Sequence, residues 1–345
     1  KDMISALIIL FCILLAFFLI MFVLSLKVQF SIYNKRYDGN KNLRYFSAGD
    51  FQGLLAESIE FSSDKGQTLR GYLYRDANTK SPKALIIFSH GYGAGHTAYT
   101  TELNYFVRAG FWVLAYDGTG CVLSEGRNLK GFDQGVIDLR YAIRYVNKEP
   151  RFAPLKKILV GHSWGGFSVM NAVGEDGIGG AVAICGFISG AKVLAQNSIG
   201  RKIPALTFAV EWFLKLFARI SFGKNANQNS IRSLQATEKP IFLLYGSEDR
   251  TVSFPKNGEV MKKTFQSSDH VKILICKGKA HNPYLSMSAE KTMKETFSQI
   301  AKMKKKDSVA AKILYEAIDY SKITEEDPEI MREIVSFIDG VIQKK

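Results

Sequence analysis

The chain has 345 residues and a formal net charge of +14, from 46 Lys and Arg against 32 Asp and Glu. No basic run is interleaved with aromatic residues in the way nucleic-acid sites require, so the charge predicts no nucleic-acid partner. The four cysteines lack the spacing of a disulfide framework, and no metal-ligand spacing or nucleotide-binding motif is present. The sequence therefore predicts no cofactor.

The N-terminal segment is the most apolar part of the chain. Met3 to Leu26 contains no charged residue, and as a helix it spans about 36 Å, enough to cross a bilayer. It is too long for the core of a signal peptide, and no cleavage site follows it. We predict a transmembrane anchor over residues 1–27, a juxtamembrane linker over 28–53 and one globular domain over 54–345.

Basic residues around this segment favour a cytoplasmic position for the domain. One precedes the apolar stretch and five follow it closely: Lys1, then Lys27, Lys35, Arg36, Lys41 and Arg44. The positive-inside rule then predicts a single-pass membrane protein with its domain in the cytoplasm. Because the chain begins with Lys rather than Met, basic residues upstream would reverse this prediction.

The remainder alternates apolar runs with helical patterns, which predicts βαβ units and a mostly parallel sheet with helices on both faces. Residues 54–75 predict an antiparallel hairpin turned at Asp64-Lys65-Gly66. Apolar residues from Phe132 to Val146 recur at helical spacing, as expected for a helix lying on a sheet.

The strand-like run Ala84 to Phe88 leads into a loop, residues 89–96, that contains three glycines. Glycine allows a backbone to approach a ligand closely, although a tight turn alone also explains the loop. If a nucleophile lies nearby, the main-chain N–H of Tyr92 is a candidate donor to an oxyanion.

The run Lys157 to Val160 leads into Gly161-His162-Ser163-Trp164-Gly165, which fits G-x-S-x-G, and a helix-like stretch follows. A strand, a sharp turn and a helix form the context in which this pattern holds a nucleophilic serine. The turn strains the serine backbone and requires small residues on both sides. We predict Ser163 as the nucleophile and the Trp164 N–H as an oxyanion donor. An ordinary βα turn with an exposed serine is the alternative.

Residues 187–238 predict a cap inserted between two strands. Within it, Phe208 to Ile220 predicts a helix with only three charged residues, all on one stripe. The apolar surface of this helix fits either packing onto the body or a lid that lines an acyl pocket or touches the bilayer. The second interpretation predicts four pocket residues: Trp212, Phe213, Leu216 and Phe217.

A serine nucleophile needs a base, and His281 is the best placed of five histidines. It lies in the loop after the run Val271 to Cys276, and the carboxyl end of a strand is where an α/β sheet places functional side chains. The others lie inside the serine turn, beside strands or in the glycine loop: His90, His96, His162 and His270.

The base in turn needs an orienting acid, and two carboxylates compete in the loop after Pro240 to Tyr245. Asp249 lies deep enough in this turn to reach the imidazole, whereas Glu248 is expected to face solvent. Asp117 is the other candidate, but it precedes the serine, and we interpret it as capping its own loop. We predict Asp249 as the acid.

The C-terminal part predicts helices. Residues 287–325 form a helical insertion whose role the sequence does not indicate, and Glu329 to Ile342 predicts a closing helix. A lysine cluster within residues 302–306 fits a solvated helix end, or contact with anionic lipid headgroups.

Taken together, these motifs resemble an α/β-hydrolase, nearest to the serine aminopeptidase-like and lysophospholipase-like members. The resemblance covers about residues 54–285 and rests on five stretches: His90-Gly91, Asp117 to Gly120 with Ser124-Glu125-Gly126, Gly161 to Gly165, Gly246 to Asp249, and His281. The order serine, acid, histidine is that of the family. One departure is Cys121-Val122, where the family has a glycine-rich, polar turn.

The resemblance implies an α/β-hydrolase fold with a helical cap and a triad of Ser163, His281 and Asp249. The anchor and the apolar cap favour a lipophilic carboxylic ester as substrate, such as a lysophospholipid or a monoacylglycerol. A membrane-side serine peptidase or aminopeptidase is the first alternative, and a non-catalytic binding protein of the same fold is the second. The expected partners are this substrate and the membrane, and the sequence does not indicate the oligomeric state.

Overall fold

A computed structural model describes residues 2–79 and 81–343 and is centred on one eight-stranded sheet. The strands are β1 Leu54–Ser62, β2 Thr68–Asp76, β3 Leu85–Ser89, β4 Trp112–Tyr116, β5 Lys157–His162, β6 Ile178–Ile184, β7 Ile241–Gly246 and β8 Val271–Cys276. Their order is β1-β2-β4-β3-β5-β6-β7-β8. β2 is antiparallel to β1 and β4, and all other neighbours are parallel. The predicted hairpin and mostly parallel sheet are confirmed.

Helices cover both faces of this sheet. Their bounds are α1 Asp2–Tyr33, α2 Thr100–Arg108, α3 Asp133–Lys148, α4 Trp164–Ala172, α5 Gly190–Asn197, α6 Thr207–Phe222, α7 Ser230–Gln235, α8 Gly258–Thr264, α9 Met287–Lys304, α10 Ser308–Glu316, α11 Tyr320–Ile323 and α12 Pro328–Gln343. Helices α3, α4, α7 and α8 contribute to the core on one face, and α2 and α12 to the core on the other. The predicted cap region holds α5, α6 and α7, and the predicted C-terminal insertion holds α9 to α11.

Alternation along the strands explains why both faces are covered. In β3, Leu85 and Ile87 point into one core, while Ile86 and Phe88 point into the other. Successive side chains of a strand face opposite sides, so a strand apolar at every position requires a layer on each side. Because β3, β5, β7 and β8 run in the same direction, their carboxyl ends lie along one edge of the sheet. The loops with the predicted site residues begin at this edge.

The apolar helix α1 is longer than predicted, and its second half packs on the body. It is long and apolar enough to cross a membrane, and no other helix among the described residues passes the same test. Residues 2–20 are exposed, but Met21 and Ser25 are buried. Phe18 lies 5.0 Å from the ring of Phe213 on α6. The second half of helix α1 is therefore docked along the cap helix.

The stretch that we predicted as a linker also contacts the body. Helix α1 continues to Tyr33, and the following residues run over the surface with defined partners. The Thr100 hydroxyl donates to the Phe46 carbonyl at 2.9 Å, and the Tyr320 hydroxyl accepts from the Arg44 N–H at 2.8 Å. The segment between α1 and β1 is thus ordered by contacts with α2 and α11.

Candidate active site

Ser163 lies in a strained turn between β5 and α4. Its φ of 57° and ψ of −110° place a non-glycine residue in a region that L residues rarely adopt. The flanking glycines make this turn possible. A Cβ on Gly161 would lie 2.4 Å from the Gly165 carbonyl oxygen, and a Cβ on Gly165 would lie 1.8 Å from that of Ser89. The backbone of the predicted nucleophile is therefore fixed by close packing on both sides.

His281 and Asp249 meet in the structure. His281 Nδ1 lies 2.7 Å from Asp249 Oδ2, and the aspartate is 3% exposed. The other oxygen, Oδ1, accepts the backbone N–H groups of Thr251 at 2.8 Å and Val252 at 3.0 Å. A carboxylate held in this way keeps the proton on Nδ1 and leaves the lone pair of Nε2 to act as a base. Glu248, the competing carboxylate, is exposed.

A chain of hydrogen bonds joins the three loops around Ser163. The Gly91 N–H donates to the Tyr99 hydroxyl at 3.0 Å, this hydroxyl donates to His162 Nδ1 at 2.9 Å, and His162 Nε2 donates to the His281 carbonyl at 2.8 Å. Burial, followed by the charge of His281, lowers the pKa of His162 to about 3. His162 is therefore neutral at physiological pH, so its donor and acceptor pattern is constant.

The serine hydroxyl does not complete this arrangement by itself. Among the described residues, Ser163 Oγ has no hydrogen bond to His281. The two loops are nevertheless adjacent, because the ring centroids of His281 and of His162, the residue before the serine, lie 4.8 Å apart. In unliganded hydrolases the bond between nucleophile and base is often long and tightens when substrate binds. The structure therefore shows His281 paired with Asp249 and Ser163, the predicted nucleophile, in the adjoining turn.

Glu290, on the first turn of α9, fixes the backbone on both sides of His281. Its Oε2 accepts the Ala280 N–H at 2.8 Å and its Oε1 accepts the Asn282 N–H at 2.9 Å. The sequence did not single out this residue. An acidic residue in the first turn of a helix commonly serves the helix dipole, so its type and position give no distinct signal. The predicted C-terminal insertion thus contributes directly to the histidine loop.

The two predicted oxyanion donors lie on loops that β3 and β5 position. The backbone N–H groups of Tyr92 and Trp164 make no hydrogen bond with the described residues, so both remain available to an oxyanion. The Trp164 side chain is fixed, because its Nε1–H donates to the Phe132 carbonyl at 2.8 Å and the residue is 2% exposed. Donors on a rigid backbone are those that stabilise a developing negative charge best.

The four predicted pocket residues divide into two pairs on α6. Phe213 and Phe217 are buried, and their rings contact Phe22 of α1 at 5.7 and 5.8 Å. Trp212 and Leu216 are 49% and 39% exposed. The structure thus places the first pair against the N-terminal helix and the second at the surface, and their role in an acyl pocket stays a prediction.

Two further groups of side chains carry atoms of the kind that bind metals. His96 Nδ1 lies 2.8 Å from Asp117 Oδ1, and the other oxygen of Asp117 accepts the Leu123 N–H of its own loop, so this buried pair secures the loop. Cys185 lies with Asp249 and His281 so that one potential ligand atom of each falls within 4.8 Å of the others. Burial raises the pKa of the Cys185 thiol well above its ordinary value, and Asp249 is among the charges that raise it.

Sequence comparison finds one family and one protein to which the chain is similar. Residues 80–233 match the sequence model of the family described as serine aminopeptidase S33. The chain is 24% identical over 203 residues to the uncharacterized protein YfhR of Escherichia coli K12, an alignment that spans 57% of this chain and 64% of that protein.

Solved structures show the same architecture. The Pyrococcus furiosus esterase Pf2001 superposes with a TM-score of 0.56 at 18% identity, over 79% of this chain and 98% of the esterase. The α/β hydrolase GrgF of Penicillium sp. sh18 gives a TM-score of 0.50 at 17% identity, over 71% and 97%. The chain therefore has the α/β-hydrolase fold and, over residues 80–233, resembles the serine aminopeptidase S33 family.

Proposed function

We propose that the chain is a membrane-anchored serine hydrolase that cleaves lipophilic carboxylic esters. The observation that supports this most directly is the Asp249–His281 pair beside the strained turn of Ser163. In this mechanism Ser163 attacks the acyl carbon while His281 Nε2 takes its proton, and the Tyr92 and Trp164 amides stabilise the oxyanion. His281 then protonates the leaving alcohol and activates the water that releases the acid.

Exposed apolar surface on the cap supports a lipophilic substrate. Four residues at intervals of four form one exposed stripe along α6: Phe208, Trp212, Leu216 and Ile220. Contiguous apolar surface of this kind is a mark of lipid or protein contact. Because the stripe lies on the cap, it is suited to receive a substrate that partitions into lipid.

The length of α1 supports insertion up to the cap. Its exposed part, residues 2–20, spans about 28 Å, close to the roughly 30 Å of a hydrocarbon core. Phe18, near the end of this part, lies 6.4 Å from Trp212, between ring centroids. Trp212 of the cap helix would then lie close to the level at which α1 leaves the hydrocarbon, at the interface where tryptophan is favoured.

We place the domain on the cytoplasmic side, from the basic residues that follow the apolar stretch. The measurement is labelling of a cysteine introduced at exposed Lys306 with an impermeant maleimide, in intact and in lysed cells. Labelling only after lysis is expected. Background should be low because Cys121, Cys185 and Cys276 are buried, and because exposed Cys12 lies in the stretch proposed to be in the bilayer. Equal labelling in intact cells would reverse the orientation.

A serine peptidase is the second candidate, since the matching family model is described as a serine aminopeptidase. The experiment that separates the two compares catalytic efficiency on an acyl-chain series of esters with that on aminoacyl amides. Each CH₂ buried on binding contributes about 0.8 kcal/mol, so we expect efficiency to rise with chain length and then level off. Efficiency independent of chain length, with amides cleaved faster than esters, would favour the peptidase.

Ser163→Ala tests the assignment of the nucleophile. The control is Ser58→Ala, because Ser58 is an exposed serine on β1. Ser163→Ala is expected to abolish labelling by a fluorophosphonate and to lower kcat by about 10⁴-fold or more, while Ser58→Ala changes neither. Retained labelling of Ser163→Ala would exclude this serine. A wild-type protein that neither labels nor hydrolyses would favour a binding protein.

A further inference from the structure

The segment that follows α1, Asn34 to Asp38, is docked on the loop after β4. Tyr37 forms a parallel bridge with Cys121. The Tyr37 N–H donates to the Gly120 carbonyl at 2.9 Å, and its carbonyl accepts the Val122 N–H at 2.8 Å. Cys121-Val122 is also the place where the sequence departs from the glycine-rich turn of the family it resembles. The departure therefore coincides with the docking of the N-terminal segment.

Arg36 secures this docking through its guanidinium group. The group donates to three backbone carbonyls of the same loop, at 2.9, 3.0 and 2.7 Å: Val122, Ser124 and Gly126. A planar guanidinium that satisfies several carbonyls at once fixes orientation as well as distance. With the two bonds of Tyr37, the segment has a single position on the body.

The same segment holds Tyr92, the proposed donor in the oxyanion loop. The Tyr92 hydroxyl donates to the Ile32 carbonyl at 2.9 Å and is itself hydrogen-bonded to the Tyr37 hydroxyl. Ile32 lies in the last turn of α1, where carbonyls have no partner within the helix. The Tyr37 and Tyr92 rings meet edge to face with centroids 4.6 Å apart. The side chain of Tyr92 is therefore bonded to α1 and to the segment after it.

Phe132 extends this contact to the other proposed donor. Its ring lies 5.1 Å from Tyr33 at the end of α1, 5.4 Å from Tyr92 and 6.2 Å from Trp164. Its carbonyl accepts the Trp164 Nε1–H. One aromatic cluster thus connects the end of α1 with Tyr92 and Trp164, the two proposed oxyanion donors.

We propose that the end of α1 and the segment Asn34 to Asp38 position the oxyanion loop. Hydrolysis then depends on the N-terminal helix for the geometry of the site, in addition to its location at a membrane. This inference rests on the proposed function. Tyr37 and Arg36 are positioning residues, because they act through Tyr92 and the loop after β4 and touch no reacting atom.

The experiment uses Tyr37→Phe and Arg36→Gln in the full chain, with Tyr45→Phe as the matched control. Tyr45 also lies in the connection between α1 and β1, and its hydroxyl accepts the Asn40 N–H at 2.9 Å. The readouts are kcat and KM on a water-soluble p-nitrophenyl ester, and the inhibition constant of an alkyl boronic acid. The boronic acid forms a tetrahedral serine adduct whose oxygen occupies the oxyanion site.

We expect both variants to lower kcat by about tenfold to hundredfold, less than the roughly 10²–10³-fold cost of losing one oxyanion donor, because the donor is displaced and not removed. The boronic acid should weaken by a similar factor, while KM stays within about threefold and the Tm is unchanged. Tyr37→Phe keeps the ring and removes only the hydroxyl, so it decides the matter if Arg36→Gln is unstable.

Two results would overturn the inference while the proposed function stands. One is a wild-type enzyme that labels with a fluorophosphonate while both variants match Tyr45→Phe. The other is a fall in kcat that follows a fall in Tm and leaves the boronic acid affinity unchanged. A wild-type protein that does not label would overturn the proposed function, and this inference with it.

Discussion

His281 is fixed through its side chain and through its backbone at the same time. Asp249 orients the imidazole, Glu290 accepts the amides before and after it, and His162 donates to its carbonyl. A general base must be held within about 0.5 Å of its productive position, and displacement by about 1 Å costs on the order of 10²-fold in rate. We therefore expect each of these three residues to have a measurable share in the position of His281, the proposed base.

At Asp249, replacement by Asn should lower kcat by about 10⁴-fold. The amide can donate to Nδ1 and so favours the wrong imidazole tautomer. Glu248→Gln is the matched control, because Glu248 is the neighbouring carboxylate and is exposed. Steady-state kinetics of the two variants measures this difference. If Glu248→Gln is the substitution that removes activity, Glu248 is the acid.

At Glu290, replacement by Gln should lower kcat about tenfold to hundredfold with KM within about threefold. The amide can accept one of the two N–H groups, but its own NH₂ faces the other. Glu295→Gln, an exposed position on the same helix, serves as the control. If the two variants have equal kcat, the clamp on the histidine loop has no kinetic role.

At the scale of elements, the turn from β5 into α4 depends on the absence of side chains. Three glycines of this turn are packed against backbone from β3, β6 or the turn itself: Gly161, Gly165 and Gly166. Glycine is required here because of close approach, since none of the three has a positive φ. A side chain at these positions would push against β3 and β6, the strands that β5 pairs with.

Gly165→Ala should therefore prevent folding or lower Tm by several degrees, because its Cβ would lie 1.8 Å from the Ser89 carbonyl oxygen. Gly174→Ala, where a Cβ would meet nothing within 4 Å, should leave Tm unchanged. Thermal unfolding followed by circular dichroism measures both. A Gly165→Ala protein with wild-type Tm would show that β3 can move away at little cost.

Local patterns predicted the elements well, and their limit is also physical. The helix over Phe208–Ile220 appears as Thr207–Phe222, and the closing helix over 329–342 appears as Pro328–Gln343. The serine turn was predictable because its pattern is contiguous. Glu290, Phe132 and the Tyr37–Tyr92 contact join residues far apart in sequence, and each residue type has a common local explanation. The docking of α1 was missed because a uniformly apolar helix shows no face that distinguishes protein from lipid.

At the scale of the whole molecule, two carboxyl groups, the buried Glu102 and the half-buried Glu326, make stability depend on pH. Burial, followed by the charge of Glu326, raises the pKa of Glu102 to about 8, and burial raises the pKa of Glu326 to about 7. A carboxyl group whose folded pKa lies above its unfolded pKa contributes stability in its protonated form. This contribution is complete below the unfolded pKa near 4.5 and is lost as the pH rises through 8.

Glu102→Gln should therefore raise Tm relative to wild type at pH 9 and leave it nearly unchanged at pH 5. The amide stays neutral, and a shift of even one pKa unit corresponds to about 1.4 kcal/mol, or at least about 2 °C in Tm. The Tm of Glu290→Gln at the same two pH values gives the comparison with another carboxylate. A difference in Tm that is the same at both pH values would show that ionisation of Glu102 is not its cause.

The contacts of α1 also set the order in which the molecule can be assembled on the ribosome. Tyr37 pairs with Cys121, which is synthesised 84 residues later, about 4–17 s at 5–20 residues per second. Phe22 waits still longer for its partners Phe213 and Phe217. During that interval the apolar face of α1 has no protein to cover it, so a lipid bilayer reached early in translation would shield it from aggregation. The cap and the oxyanion loop, which are synthesised later, would then fold against this helix.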